Sequence, residues 1–156
     1  MVKYSPVPEL EYLWSYDATL APPEVIGPVA DGLRANFYVT GGTLQGRGRE
    51  GRLRPVGGDW LTIRPDGVAV LDVRTTIEMT DGALIDTSYR GIGDLGPDGY
   101  GKFLRGDLPS RLVLTIMPIL QSAHADYQWL QRSVFIGIGS VEFETLTVAY
   151  DIYIVR

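Results

Sequence analysis

The sequence predicts an all-β fold, namely a single closed antiparallel β-barrel of about eight strands with one short helix, or a tightly closed sandwich of these strands. One domain is expected to span residues 1–156. Apolar and polar residues alternate over most of the chain, as they do in strands with one buried face. The chain also contains 19 Gly and 10 Pro, residues that set turn geometry and interrupt helices. Closure into a barrel would remove the exposed strand edges that promote aggregation.

The first third of the chain contains two alternating stretches separated by a loop. Residues 9–20 (ELEYLWSYDATL) alternate and predict a strand. The Pro-rich segment APPEVIGP that follows is interpreted as a loop. Residues 33–40 alternate again, and Gly41-Gly42 permits a bulge or a sharp bend because glycine reaches backbone angles closed to other residues.

The central part of the chain has the clearest hairpin signals. Pro65-Asp66-Gly67 and Asp81-Gly82 are typical of tight turns between antiparallel strands. The strands predicted around these turns are 43–54, 59–64, 68–80 and 83–91.

The last third of the chain alternates less regularly. Residues 93–110 predict a loop with one helical turn near 100–105. A strand at 111–117 precedes a connection in which 126–131 form a short helix. Two final strands are predicted at 132–139 and 143–155.

Composition excludes several classes of function. The net charge of −5 argues against nucleic acid as a partner, since phosphate binding requires a concentrated positive field. Cysteine is absent, and His124 is the only histidine, so thiol catalysis, disulfides and multi-His metal sites are excluded within one chain. We therefore expect no metal site built on cysteines or on several histidines. Without a signal-peptide-like N-terminus or a long apolar run, we expect a cytoplasmic protein with no membrane partner.

Two motifs near residue 50 have simple explanations. Residues 46–51 match G-x-G-x-x-G, but a dinucleotide site requires a strand that feeds a helix, and the continuation here is strand-like and ends at Pro55. The match is interpreted as accidental. The basic cluster that surrounds it is interpreted as a solvated strand edge protected by charge, and its members are Arg47, Arg49, Arg52 and Arg54.

The strand at 68–80 has one polar and one apolar face. The polar face consists of Asp72, Arg74, Thr76 and Glu78. If the apolar face packs outward, the polar row lines the barrel interior, where a carboxylate near an arginine could act as a general base beside an electrostatic clamp. If the apolar face packs inward, the polar row is a solvated surface with cross-strand ion pairs. Periodicity leaves both alternatives open, and Asp86 and Arg90 on the next strand have the same ambiguity.

Short motifs in a fixed order resemble one family along nearly the whole chain. They are Thr40-Gly41-Gly42-Thr43, Asp59-Trp60, Arg64-Pro65-Asp66-Gly67, Leu71-Asp72-Val73-Arg74, Asp81-Gly82-Ala83-Leu84-Ile85, Trp129-Leu130 and Phe135-Ile136-Gly137 followed by Gly139. Together they resemble the DUF3237 (UPF0311) family, which is similar to β-barrels of the allene oxide cyclase and dirigent type. The resemblance implies a closed antiparallel barrel whose lumen holds a small organic molecule and steers cyclisation or isomerisation without a cofactor.

The chain departs from the family pattern between residues 115 and 131. The family's Arg-Thr-x-Pro-x-Phe-Glu-Thr-like stretch corresponds here to Thr115-Ile116-Met117-Pro118-Ile119-Leu120-Gln121-Ser122, so an arginine and a glutamate are replaced by Thr115 and Gln121. We expect this change to favour a more apolar ligand.

These patterns and the resemblance predict a cofactor-free cyclase or isomerase that acts on a small hydrophobic, polyketide- or terpenoid-like substrate in the lumen. The alternative is a barrel that binds such a ligand without changing it, and a third possibility is a structural subunit that self-associates. A homodimer or larger homo-oligomer is expected. The predicted catalytic residues are Asp72 or Glu78 as a desolvated base and Arg74 or Arg90 as a clamp on oxyanion charge. The predicted substrate-binding residues are Tyr12, Trp14, Tyr38, Trp60, Tyr89, Met117, His124 and Trp129.

Overall fold

The protein, described here by a computed structural model, forms a closed antiparallel barrel of eight strand positions with two additional strands. The structure describes residues 3–4 and 6–156, so residues 1, 2 and 5 of the predicted domain lie outside the described part. The strands are β1 (Leu10–Leu20), β2 (Glu24–Val29), β3 (Gly32–Gly46), β4 (Arg49–Leu53), β5 (Gly58–Ile63), β6 (Val68–Met79), β7 (Leu84–Asp94), β8 (Arg111–Gln121), β9 (Phe135–Glu142) and β10 (Thr147–Val155). Helix α1 spans Gly99–Leu104, and a 3-10 helix spans Ala125–Arg132.

The barrel closes because β1 pairs with both β10 and β3. From β1 the circle runs through β10, β9, β8, β7 and β6. Strands β4 and β5 share the position between β6 and β3, each pairing with a different part of these two strands. Strand β2 pairs with β3 outside the circle.

The predicted all-β barrel is confirmed, and two of its details were wrong. The Pro-rich segment expected to be a loop contains β2, an edge strand in which Pro28 is tolerated because one of its sides needs no ladder partner. The predicted strand 43–54 is divided by a turn at Arg47-Gly48, so its first part extends β3 and its second part is β4. Both helical segments lie where the sequence predicted them.

The apolar face of β6 packs inward, which decides between the two alternatives for this strand. Its buried positions alternate through Ala69, Leu71, Val73 and Thr75 to Ile77 and Met79. The polar row of β6 therefore lies on the outer surface. The interior is lined by the same type of alternation on every long strand.

The lumen has two different halves. One half is filled with large side chains, among them Trp14, Leu44, Ile85, Phe135 and Ile152, each no more than 2% exposed. This half is closed by the 3-10 helix, whose Tyr127 and Leu130 are buried. The other half contains an apolar cavity covered by α1, whose Phe103 is buried.

A polar network attaches the 3-10 helix to the barrel. The Tyr127 hydroxyl donates to an Asp81 carboxylate oxygen at 2.9 Å and accepts from Arg49 at 3.0 Å. The Arg49 guanidinium also lies over the Tyr127 ring, 5.0 Å from its centroid. Since Asp81 lies in the β6–β7 turn and Arg49 begins β4, one phenol links three segments of the chain.

Removal of the Tyr127 hydroxyl group is expected to destabilise the fold. We expect Tyr127→Phe to lower the free energy of unfolding by about 1–2 kcal/mol, because hydrogen bonds to two charged partners are lost while the ring stays packed. Urea unfolding measures the change. Tyr153→Phe is the matched control, since the hydroxyl of Tyr153 has no hydrogen-bond partner among the described residues. Equal loss of stability in both variants would contradict a stabilising role for the network.

Candidate functional site

The candidate site is the cavity in the half of the lumen that α1 covers. Its volume is about 60 Å³, and its walls are almost entirely aliphatic or aromatic. The apolar side chains come from most strands of the barrel and include Phe37, Leu61, Leu71, Leu114 and Val148. The few polar groups that reach this cavity are therefore the ones able to do chemistry there, and they are Asp59, Thr75, Tyr89 and Tyr150.

Asp59 is an acidic side chain on the inner face of the barrel. Alternation along β5 places it on the same inner face as Leu61 and Ile63, and it lies opposite Phe37 on β3 and Val73 on β6. Its Oδ1 accepts the backbone N–H of Asp72 at 2.9 Å. This bond replaces a ladder bond at a point where the β5–β6 pairing is interrupted. The carboxyl group is thereby fixed at the cavity wall.

Burial raises the pKa of Asp59 to about 7. The N–H of Asp72 favours the charged carboxylate and opposes this shift, whereas the negative charge of the Asp72 side chain adds to it. Asp59 retains intermediate solvent accessibility, and it borders the cavity. Both the protonated and the charged form of the carboxyl group are therefore populated close to neutral pH.

Three tyrosines form a layer between the cavity and the packed half of the lumen. Tyr150 lies at the centre, with its ring centroid 5.4 Å from that of Tyr16 and 5.7 Å from that of Tyr89. All three side chains are at most 7% exposed. Burial raises the pKa of each phenol, and the Asp59 carboxylate raises the pKa values of Tyr89 and Tyr150 further. The phenols are therefore neutral hydrogen-bond donors at neutral pH.

Several buried polar atoms at this level have no protein partner. Among the described residues these atoms are Trp14 Nε1, Tyr16 Oη, Thr75 Oγ1 and Thr87 Oγ1. Thr75 and Thr87 face each other directly across β6 and β7. Of the four, only Thr75 reaches the cavity. A buried hydroxyl without a partner is costly, so the Thr75 hydroxyl is a position where a bound oxygen or water would be stabilised.

The cavity mouth is formed by the chain that connects β7 to β8. Leu95 and Phe103 from this connection border the cavity together with Leu20 and Phe143. A volume of about 60 Å³ accommodates only a few water molecules and is well below the roughly 150 Å³ of a cavity that holds benzene. A ring-sized ligand therefore requires these side chains to move outward.

The sequence-predicted catalytic residues lie outside the lumen. Asp72 and Arg90 form an ion pair with 3.6 Å between Oδ1 and Nε, and both side chains are substantially exposed. Glu78 pairs with Arg52 at 2.6 Å. Asp72, Arg74 and Arg90 border a groove on the outer surface, together with Trp60 and Met117. The prediction of Asp72 or Glu78 as a desolvated base does not agree with these positions, because solvated carboxylates lack the required burial.

The predicted substrate-binding residues are divided between the two sides of the sheet. Trp14 and Tyr89 point inward, and only Tyr89 borders the cavity. His124 is partly buried, and its Nδ1 accepts the N–H of Asp126 at 3.2 Å as the cap of the 3-10 helix. The remaining residues are all at least 36% exposed and do not line the lumen, namely Tyr12, Tyr38, Trp60, Met117 and Trp129.

One group of side chains has the spacing of a metal site. Potential ligand atoms of Asp81, His124 and Asp126 lie within 4.8 Å of one another. Two of the three side chains already have partners, because an Asp81 oxygen accepts from Tyr127 and His124 Nδ1 accepts the backbone N–H of Asp126. The arrangement is accounted for as the attachment of the 3-10 helix. In the part of the chain that the structure describes, no helix has the length and apolar character needed to cross a membrane.

Sequence reasoning missed Asp59, although a signal was present. Within the segment DWLTI, Asp59 is in phase with Leu61 and Ile63, so an acidic residue occupies the apolar side of a predicted strand. Thr75 likewise lies within the apolar row of β6, between Val73 and Ile77. A polar residue in an apolar row was thus a better indicator of the lumen than a complete polar row.

Comparisons with known proteins agree with the fold. A family model described as "Protein of unknown function (DUF3237)" matches residues 8–155. A UPF0311 protein of Rhodopseudomonas palustris is 29% identical over 136 residues, which are 85% of this chain and 88% of that protein. A second UPF0311 protein, from Clostridium acetobutylicum, is 28% identical over 137 residues, 83% of this chain and 84% of its own length.

Solved structures share the barrel along its whole length. A β-barrel-like protein from Acinetobacter baumannii is 28% identical with a TM-score of 0.84, covering 99% of this chain and 100% of that one. An enzyme from Penicillium herquei has a TM-score of 0.71 at 17% identity and covers both chains completely. At that identity the likeness concerns the fold alone.

Proposed function

This chain belongs to the DUF3237 family, as its motifs predicted, and we propose that its lumen binds a small uncharged molecule and catalyses an isomerisation or cyclisation without a cofactor. The observation that carries the proposal is the fixed Asp59 carboxyl group at the wall of an otherwise apolar cavity, beside the neutral phenols of Tyr89 and Tyr150. The catalytic position is thus moved from the outer row of β6 to the inner face of β5.

The arrangement suits proton transfer next to a carbonyl group. A base is most effective when its pKa lies near the working pH, and the pKa of Asp59 is about 7. The Asp59 carboxylate would remove a proton from the carbon beside the carbonyl, and the phenols of Tyr89 and Tyr150 would donate hydrogen bonds to the enolate oxygen. Return of a proton from Asp59 to another carbon of the conjugated system gives an isomer, whereas attack of the enolate carbon on a second carbonyl of the same molecule, whose oxygen then takes the proton from Asp59, gives a ring. Both outcomes balance without an added reactant.

The charge of the cavity wall restricts the substrate class. The described residues that line the cavity include no Lys, Arg or His. A carboxylate-bearing ligand would therefore meet no counter-charge and would approach the Asp59 carboxylate. We infer an uncharged substrate with a hydrogen-bond acceptor, in keeping with the predicted preference for apolar ligands.

A matched pair of probes tests this inference. Acetophenone and benzoate have the same ring but differ in charge, and binding of each is measured by quenching of tryptophan fluorescence. We expect acetophenone to bind at least tenfold more tightly than benzoate at pH 8. Tighter binding of benzoate, or no binding of either probe, would contradict an uncharged ligand in the lumen.

The Thr75 hydroxyl is expected to contribute to binding at the expense of stability. Thr75→Val and Thr87→Val each remove a buried hydroxyl without a partner, so each should raise the free energy of unfolding by about 1 kcal/mol. Because only Thr75 borders the cavity, only its replacement should weaken acetophenone binding, by about fivefold for one hydrogen bond. Unchanged binding in both variants would remove Thr75 from the site.

A non-catalytic binding protein is the second candidate function. The predominantly apolar wall of the cavity favours it, because such walls hold a ligand without requiring chemistry. Product analysis separates the two functions. A binding protein returns a conjugated ketone unchanged, whereas an isomerase exchanges its α-hydrogens for deuterium in D₂O faster than the buffer does.

A further inference from the structure

A second cavity, called here the outer pocket, adjoins the cavity of the lumen at its mouth. The outer pocket has a volume of about 220 Å³, compared with about 60 Å³ for the lumen cavity. Leu95, Phe103 and Leu112 border both spaces. These three side chains therefore belong to the wall that separates the outer pocket from the lumen cavity.

Part of this wall can move without a change in the barrel. Leu112 lies on β8, but Leu95 follows β7 and Phe103 belongs to α1. Helix α1 is six residues long, and the side chain of Asp98 at its N-cap makes no capping hydrogen bond. A helix this short is held mainly by the packing of its side chains, whereas the strands of the closed barrel have ladder partners on both sides. Displacement of Phe103 therefore joins the two spaces and leaves the strands in place.

The sizes of the two spaces limit how a substrate can lie. A ring does not fit in the lumen cavity alone, because a cavity that holds benzene has roughly 150 Å³. The combined volume of the two spaces approaches the lower end of the roughly 300–1,000 Å³ that is typical of ligand pockets. A substrate whose reacting end meets Asp59 therefore has room for the rest of its length in the outer pocket.

The outer pocket is polar, in contrast to the lumen cavity. Its charged residues are all exposed, namely Asp94, Lys102, Asp107 and Arg111. Arg111 is paired at 3.3 Å with Glu142, which does not border the pocket. The remaining two carboxylates offer no net attraction to an anion, and Lys102 opposes an ammonium group. Because donors and acceptors are both present, the pocket suits an uncharged hydroxyl group, which can donate one hydrogen bond and accept others.

We propose that the outer pocket binds the distal end of the substrate, and that this substrate is an elongated ketone with a hydroxyl group several carbons from its carbonyl group. The carbonyl end lies in the lumen cavity beside Asp59, the chain passes Phe103, and the hydroxyl group lies among the charged side chains of the outer pocket. This inference rests on the proposed function, because it takes the carbonyl group as the reacting end. Contacts remote from the reacting carbon then help to position it.

Obstruction of the outer pocket tests the proposal. Leu108 borders the outer pocket but not the lumen cavity, so Leu108→Trp should fill the first and leave the second unchanged. Leu104→Trp is the matched control, because Leu104 lies on the same connection, is 50% exposed and borders neither space. The ligands are 2-butanone, which is short enough to stay within the lumen cavity, and 8-hydroxyoctan-2-one, which extends into the outer pocket. NMR titration of the protein gives both dissociation constants, and circular dichroism confirms folding of the variants.

We expect Leu108→Trp to weaken binding of 8-hydroxyoctan-2-one at least tenfold and to change binding of 2-butanone less than twofold. Leu104→Trp should change neither. Unchanged binding of the long ketone to Leu108→Trp, or equal weakening of both ketones, would overturn the outer pocket while leaving the lumen site in place. Absence of 2-butanone binding to the wild type would instead contradict the lumen site itself, and this inference with it.

A series of probes with one chain length tests the chemistry of the distal end in the wild-type protein. The probes are 2-octanone, 8-hydroxyoctan-2-one, 7-oxooctanoate and 8-aminooctan-2-one, which differ only in the group at the far end. We expect 8-hydroxyoctan-2-one to bind about fivefold more tightly than 2-octanone, as one added hydrogen bond would give. Tightest binding of any other member of the series would overturn a hydroxyl-bearing substrate.

Discussion

Replacement of Asp59 by Asn is expected to lower turnover by at least about 100-fold, because a positioned general base contributes roughly 10²–10⁴ to rate. The amide occupies nearly the same volume and still offers an oxygen to the N–H of Asp72, so the fold should be kept. Deuterium exchange into a conjugated ketone measures the rate. Asp86→Asn is the matched control, since it removes an exposed carboxylate on β7 that does not border the cavity, and it should leave the rate unchanged.

The same substitution should also change how stability depends on pH. The pKa of Asp59 is about 7 in the folded protein, compared with 3.8 as its ordinary value. Between these two pH values the folded state holds a proton that the unfolded state has lost. The stabilising effect of the proton is therefore complete below about pH 3.8 and is lost as the pH rises to about 7.

Urea unfolding at pH 4 and pH 8 measures this linkage. Asn does not titrate. The difference in free energy of unfolding between Asp59→Asn and the wild type should therefore change in favour of the variant from pH 4 to pH 8, by on the order of 4 kcal/mol for a pKa shift of about three units. Asp86→Asn should give no such gain. An equal difference between Asp59→Asn and the wild type at both pH values would mean that Asp59 is charged and solvated in the folded protein, which would also remove it as the proposed base.

The sequence predicted the barrel because its signals were local. Alternation fixes which residues share a face, and Pro65-Asp66-Gly67 and Asp81-Gly82 each join neighbouring strands within a few residues. Strand β2 was missed because an edge strand depends on its neighbour for its hydrogen bonds, and the composition of APPEVIGP alone indicates a loop.

The candidate site was harder to predict because alternation does not say which face points inward. On β6 the polar and apolar rows have the same period, and only the pairing of all strands around the circle places Asp72 outside and Val73 inside. The meeting of Asp59, Tyr89 and Tyr150 also depends on strands that are far apart in sequence. Such a site is a property of barrel closure, which no single motif encodes.

Gly67→Ala is expected to cause the largest loss of stability among single-methyl additions in the turns. Gly67 has φ +88°, and a Cβ at this position would overlap the carbonyl oxygen of Gly96 far inside van der Waals contact. Gly82 also has φ +88°, but a Cβ there would meet nothing within 4 Å. Gly82→Ala should therefore cost only the backbone strain of about 1–2 kcal/mol, whereas Gly67→Ala should cost more than about 3 kcal/mol because the overlap is added. Urea unfolding of both variants measures the difference.

The turn that contains Gly67 also affects how a ligand reaches the cavity. The Gly67 carbonyl accepts the N–H of Leu95 at 3.0 Å, so the turn holds the segment that places Leu95 and Phe103 over the cavity mouth. Displacement of Gly96 by the added methyl group would move this cover outward. In whatever fraction of Gly67→Ala remains folded, we expect faster acetophenone association than in Gly82→Ala, measured by stopped-flow tryptophan fluorescence. Equal association rates in the two variants would mean that the ligand enters the lumen by a route that does not pass α1.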